Sequence, residues 1–214
     1  MSDLSLCLKE VSVSASGQKI LSNINFEIKK GELVLLLGSN GAGKSTLIKS
    51  IMGDQAISAG ELYVGRSSLI AQDPRKSVYD DLTIEENCRL RTGKDYREHL
   101  SRFLSHLVKI MDRPVALMSG GERQVLALAL CLLDPPDLLL LDEHTSALDP
   151  KTASRVMSIT MQMVQEFDVA TLMTTHNLEH AEAFGARIIG IKHGQVCFDG
   201  HASNRTQLLE LCYD

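Results

Sequence analysis

Five consecutive apolar residues, Leu33-Val34-Leu35-Leu36-Leu37, run straight into Gly38-Ser39-Asn40-Gly41-Ala42-Gly43-Lys44-Ser45, and a helix-forming stretch from Thr46 to Met52 follows. No other feature narrows the fold as much. An unbroken apolar run of this length reads as a strand buried on both faces, which occurs in parallel sheets covered by helices. The octet fits the G-x-x-x-x-G-K-[ST] pattern in full and lies between strand and helix, as that pattern requires. Its glycines let backbone N–H groups curl around phosphate oxygens, and the helix amino terminus adds partial positive charge. Lys44 is placed to reach β- and γ-phosphates, and Ser45 to bind Mg²⁺.

The remaining pattern agrees with an α/β chain. Leu4/Leu6/Leu8 and Ile24/Phe26/Ile28 alternate in strand fashion around the turn-prone Ser14-Ala15-Ser16-Gly17, which predicts a small antiparallel sheet. Buried strands are expected at 138–141 and 169–174, and a closing hairpin at 187–191 and 196–198 around His193-Gly194. From Asp73 to about Leu117 the pattern turns polar and helical, with helices expected over 84–90 and 96–111. Thr83 and Glu86 are spaced as a capping box for the first of them. A long helix from Gly120 to about Leu133 is stopped by Pro135-Pro136, and Asp149-Pro150 opens another. Strands alternating with helices imply a mainly parallel sheet. With 214 residues, one domain is expected over 1–214, carrying a helical subdomain at about 74–134.

Two further segments carry chemistry. Asp142 ends the apolar run 138–141, and Glu143 follows it. A carboxylate at the end of a buried parallel strand can hold the Mg²⁺ shell, and its neighbour can orient a water for attack on a γ-phosphate. Met118-Ser119-Gly120-Gly121-Glu122 opens the long helix. Ser119 and Glu122 form a capping box, but capping does not need Gly120-Gly121, which costs helix stability. Two glycines make sense there if bare backbone approaches an anion. Two phosphate-binding loops on a chain this size suggest a nucleotide gripped from two sides, the second grip coming from a partner copy.

Composition closes off other classes. The hydrophobic share of 44% and charged share of 23% are ordinary globular values. The longest apolar run, 125–133, is far short of the roughly 20 residues that span a bilayer. The amino terminus lacks the blocks of a secretory signal, so a cytosolic protein is expected. Cys7, Cys88, Cys131, Cys197 and Cys212 stand singly and read as reduced thiols. A net charge of −5 gives no electrostatic reason to expect nucleic acid.

Residues 38–46, Gln72, Met118 to Glu122, 138–143, Ser146-Ala147-Leu148-Asp149 and His176 resemble, in order and approximate spacing, the ATP-binding subunits of ABC transporters. The resemblance covers nearly the whole chain. It implies a P-loop ATPase with a RecA-like core, a small antiparallel β subdomain and an inserted helical subdomain. Gly38, Ser39, Asn40, Gly41, Ala42, Gly43, Lys44, Ser45 and Thr46 would be the Walker A loop, and 138–142 Walker B. Glu143 would be the catalytic carboxylate, with Ser45, Gln72 and Asp142 around Mg²⁺. Gln72 resembles the Q-loop glutamine and His176 the switch histidine. Ser119, Gly120, Gly121 and Glu122 resemble the signature loop, acting in trans on the other subunit's ATP, and 146–149 the D-loop.

The resemblance further implies ATP and Mg²⁺ as ligands, a head-to-tail homodimer bridged by ATP, permease subunits, and a substrate-binding protein. It places the chain on the inner face of the plasma membrane. Asp142 through Ala153 is similar to ATPases of the tryptophan/tyrosine-type amino-acid importers. A soluble ABC ATPase without transport duty, or the ATPase of an exporter, are the alternatives. Val78, Tyr79, Leu82 and Ile84 offer either a docking patch for a membrane subunit's short helix or the helical lobe's own core. Departures from the family pattern are the absence of an aromatic over 11–18, where adenine usually stacks, a short stretch over 53–72, Met118 in place of Leu, and His144. For His144 a packing or loop role is expected over that of a pH-sensitive neighbour.

Overall fold

The computed structural model describes residues 3–91, 96–175, 185–201, 208 and 212–213, with His99 described by its backbone alone. The chain forms two compact units. One comprises residues 1–69, 137–143 and 170–214; the other comprises 70–136 and 144–169.

The first unit holds two sheets. Strands β1 (Leu4–Ala15), β2 (Gln18–Lys29) and β4 (Ala59–Val64) form an antiparallel sheet in the order β2-β1-β4. The sequence expectation of a β1/β2 pair holds, but β4 escapes it, because Ala59-Gly60-Glu61-Leu62-Tyr63-Val64 is mostly exposed and carries little alternation. The second sheet runs β5 (Ser67–Ile70), β6 (Leu138–Asp142), β7 (Ala170–Thr174), β3 (Leu33–Leu37), β8 (Arg187–Lys192) and β9 (Gln195–His201). Pairings β6/β7, β7/β3 and β3/β8 are parallel, and β8/β9 is the expected antiparallel hairpin. The interiors of β3, β6 and β7 are buried, the physical reason for their unbroken apolar runs. Leu6, Leu8, Ile24 and Ile28 share one core with Val34, Leu36, Leu138, Leu140 and Leu172, and α1 (Lys44–Met52) adds Leu47, Ile48 and Ile51.

Register decides where the chemistry lies. Thr174 is paired with Asp142 on one side and with Leu36 on the other. The carboxyl ends of β6, β7 and β3 therefore finish level. In open parallel sheets, ligands bind outside this edge.

The second unit contains α2 (Ile84–Arg91), α3 (Tyr96–Val108), α4 (Gly120–Leu132) and α5 (Pro150–Glu166). Thr83 and Glu86 form the expected box on α2, with Thr83 N–H donating to Glu86 Oε2 at 2.8 Å. Asp149 caps α5 by accepting from Thr152 N–H, with Pro150 in the first turn. The helix expected over 96–111 ends at Val108 and is interrupted at Leu104, whose φ of −135° is not helical. Ten of the thirteen residues of α4 are buried. That helix is apolar nearly all round, as a central helix must be.

Candidate functional site

In the first unit, residues 38–45 leave the end of β3 and turn into α1. Gly41 and Gly43 have φ of 82° and 110°, a region that side-chain-bearing residues avoid. The loop is also tightly packed. A Cβ on Gly38 would collide with the Ile191 carbonyl oxygen, and one on Gly43 with a methyl of Leu21. Lys44 is only 7% exposed. Its ammonium donates to the carbonyls of Gly38 at 2.7 Å and Ser39 at 3.1 Å, so it spans the loop it belongs to. Burial lowers its pKa, and the negative charges of Glu143 and Asp142 work against that shift.

A cavity of about 160 Å³ opens at this loop, lined by Ile20, Asn40, Gly41, Gly43, Lys44, Ser45, Thr46 and Glu143. Glu143 adopts a left-handed backbone with φ of 47°. Such a conformation in a non-glycine residue is held by its surroundings, here by a bond from Glu143 N–H to Thr174 Oγ1 at 2.9 Å. The same hydroxyl donates to Asp142 Oδ1 at 2.8 Å. A lining of glycines, one buried cation and the hydroxyl-bearing Ser45 and Thr46 suits a polyanion, and the Glu143 carboxylate, directly after Asp142, suits a divalent cation.

A profile of the ABC transporter family matches residues 21–146. The tyrosine transport ATP-binding protein of Clostridioides difficile is 36% identical over 209 residues, covering 84% of this chain and 83% of that protein. This decides the family. The chain belongs to the ABC transporters. The phosphonates import ATP-binding protein of Chromohalobacter salexigens is 32% identical, over 87% of this chain and 80% of its own. Among solved structures, cbiO1 from Clostridium perfringens, part of the ABC transporter complex cbiONQ, superposes with a TM-score of 0.82 at 25% identity, covering 93% of this chain and 89% of that one. The expected fold class therefore holds. The chain is the ATP-binding subunit of an ABC transporter and an ATPase.

Of the sequence-derived positions, the ABC fold brings residues 38–46, Asp142 and Glu143 together in the first unit. Ser119, Gly120, Gly121, Glu122 and Gln72 belong to the second unit. Gln72 is exposed in the loop after β5. His176 lies outside the described residues.

The capping box at Ser119 is complete. Glu122 Oε2 accepts from Ser119 N–H at 2.8 Å and from its hydroxyl at 2.9 Å, while Glu122 N–H donates back to Ser119 Oγ. Those bonds, the backbone one foremost, lower the Glu122 pKa against the effect of burial. The two glycines differ. A Cβ on Gly121 would collide with Thr152 Cγ2 of α5, so packing alone requires glycine there. At Gly120 the nearest side-chain atom would be Leu148 Cδ2 at 3.3 Å, a contact that a slight shift relieves.

His144 is 3% exposed, with Nε2 3.2 Å from Thr160 Oγ1 on α5, in keeping with the expected packing role. Val78 and Ile84 are buried within the helical unit, whereas Tyr79 is 62% exposed. The patch, read as either a docking surface or the lobe's own core, thus divides: Val78 and Ile84 serve the core and Tyr79 faces outward. Asn87 fixes that turn by bonding both N–H and C=O of Tyr79.

Sequence reading missed Thr174 and Ile20. A threonine closing a fully buried strand is the signal for Thr174. Ile20 lines the phosphate-loop cavity from β2, beyond the 11–18 stretch where an aromatic is usual in the family.

Proposed function

We propose that this ATPase subunit powers a bacterial importer of a small solute such as an amino acid. The reading draws support from the relatives, which carry transport and import names for tyrosine, hypophosphite, phosphonates and Fe(3+) ions. The whole chain acts as one ATPase domain, with residues 74–134 as its helical subdomain. Two copies pair head to tail. Each ATP is held by residues 38–46 of one copy and by Ser119, Gly120 and Gly121 of the other. Permease subunits, with Tyr79 among the docking residues, keep the pair at the inner face of the membrane, and a substrate-binding protein delivers the cargo.

Within each site, Lys44 leaves its two carbonyl partners to neutralise the β- and γ-phosphates. Burial lowers its pKa, and a bound anion would act in the opposite sense, as Glu143 and Asp142 do. Ser45, Asp142 and Gln72 would hold Mg²⁺, which neutralises phosphate charge when bound. Glu143 orients the attacking water and polarises it, and His176 contacts the γ-phosphate. Loss of the γ-phosphate removes the bridge between copies, and the closed state loses its advantage over the open one.

The observation that carries this reading is the shared Thr174 hydroxyl, which bonds both Asp142 and the backbone of Glu143, a residue that lines the phosphate-loop cavity. Glu143→Gln tests it. The variant should bind ATP as the parent does, lose at least ~100-fold in turnover, and accumulate as an ATP-bound dimer in size-exclusion chromatography with light scattering. Hydrolysis at the parental rate would refute the assignment of Glu143. A monomer in saturating MgATP with the permease present would refute the shared site.

A further inference from the structure

Gly190 in β8 pairs with Phe198 of β9, and the next pair along is Ile191 with Val196. Cys197 is therefore the extra residue of a β-bulge. Bulges bend a strand and re-aim a side chain, and this one brings two sulfurs together. A Cβ on Gly190 would collide with Cys212 Sγ and come within 3.1 Å of Cys197 Sγ. Gly190 is not among the positive-φ glycines. What glycine supplies at this position is the room that the two sulfurs occupy. Both sulfurs therefore border the same small space beside Gly190.

The pair lies next to the phosphate loop. Ile191, one residue along β8, sets its carbonyl oxygen against Gly38. Tyr213, directly after Cys212, buries its hydroxyl, and that side chain interacts with Gly38 and with the charge of Glu143.

We infer that Cys197 and Cys212 form a reversible disulfide when the protein meets hydrogen peroxide, tying Cys212 to the strand beside the phosphate loop. Cys197 is partly exposed and Cys212 is buried, so Cys197 reacts first. Its thiolate sulfur attacks the peroxide, the O–O bond breaks, water leaves, and the sulfur becomes a sulfenic acid. Cys212 then loses its proton as its sulfur attacks Cys197 Sγ; the S–O bond breaks and a second water departs. Two thiols give up two electrons and two protons, and the peroxide is reduced to water. Burial, followed by the charge of Cys197, pushes the Cys212 thiol up to about 12, with Lys192 acting in the opposite sense. Cys212 is thus held as a thiol at neutral pH, which leaves the first attack on the peroxide to Cys197.

The test is peptide mapping under non-reducing conditions after brief exposure of the whole protein to hydrogen peroxide. The expected product is a Cys197–Cys212 linked peptide about 2 Da lighter than its reduced parts. It should be reversed by dithiothreitol and accompanied by a rise of roughly 5 °C in melting temperature. Cys197→Ser should show neither the linked peptide nor the rise. Direct passage of Cys197 to sulfinic acid, or linkage only to other cysteines, would overturn the inference, and the wild-type map decides this even if the variant folds poorly.

Discussion

Thr174 Oγ1 lies 2.8 Å from Asp142 Oδ1 and 2.9 Å from the backbone nitrogen of Glu143. One hydroxyl, 1% exposed as a residue, thereby fixes both the end of β6 and the left-handed turn that presents Glu143. Thr174→Val keeps the shape and removes both bonds. A buried N–H and a carboxylate oxygen then lose a partner, at a cost of about 1–3 kcal/mol in stability. Turnover should fall by at least tenfold, since ~1.4 kcal/mol of lost transition-state positioning is enough for that. Thr174→Ser, which retains the hydroxyl, should restore most of both. Thermal melts and steady-state ATPase assays check this, and equal turnover in the Val and Ser variants would remove Thr174 from the site.

Ser119 has two separable duties. As a cap it accepts from Glu122 N–H, and aspartate caps a helix about as well as serine. As a proposed phosphate ligand it has no such substitute, because a carboxylate would repel the anion. Ser119→Asp should therefore melt within about 1 kcal/mol of the parent and lose ATPase activity by an order of magnitude or more. Activity close to parental would leave Ser119 as a cap alone. Ser119→Ala removes both the cap and the hydroxyl, and should cost about 1 kcal/mol of stability as well as activity.

Most of the site was legible in the sequence because its parts are local. The residues 38–45 carry their glycines, lysine and serine within one turn, and Asp142-Glu143 ends a run that only a buried parallel strand explains. Thr174 could not be read the same way. Its importance arises from register, since it must fall level with both Asp142 and Leu36, and no local pattern encodes that alignment. β4 was missed for a related reason: it is held by pairing with β1 rather than by its own alternation. The split between Val78 and Tyr79 likewise depends on Asn87 reaching back to fix the turn. Gly121 is a different case: the sequence suggests close approach of an anion as its cause, and the structure adds a second, packing against Thr152.

Those two causes can be separated. Gly121→Ala places a methyl against Thr152 Cγ2, and overpacking of this kind costs about 1–3 kcal/mol. Thr152→Ser removes that methyl while its backbone N–H still bonds Asp149. The double variant should recover most of the stability. If the bare backbone at 121 also approaches a phosphate, ATPase activity should stay low in the double variant. Recovery of both stability and activity would assign Gly121 to packing alone.

Glu122 makes part of the stability of the second unit depend on pH in a definite direction. Its carboxylate is stabilised in the folded state by Ser119 N–H and the Ser119 hydroxyl, so its pKa lies below the ordinary 4.5. A group depressed on folding contributes stability that is complete above its unfolded pKa and is lost as pH falls through the folded one. The wild type should therefore lose melting temperature more steeply than Glu122→Gln as pH drops from about 5 toward 3. Above pH 6 the gap between the two should be constant. Glu86 on α2 is depressed by the same kind of box, chiefly through Thr83 N–H, so Glu86→Gln should flatten the acid limb in the same sense. Parallel melting curves for wild type and Glu122→Gln across that range would mean that the carboxylate charge contributes nothing to the cap.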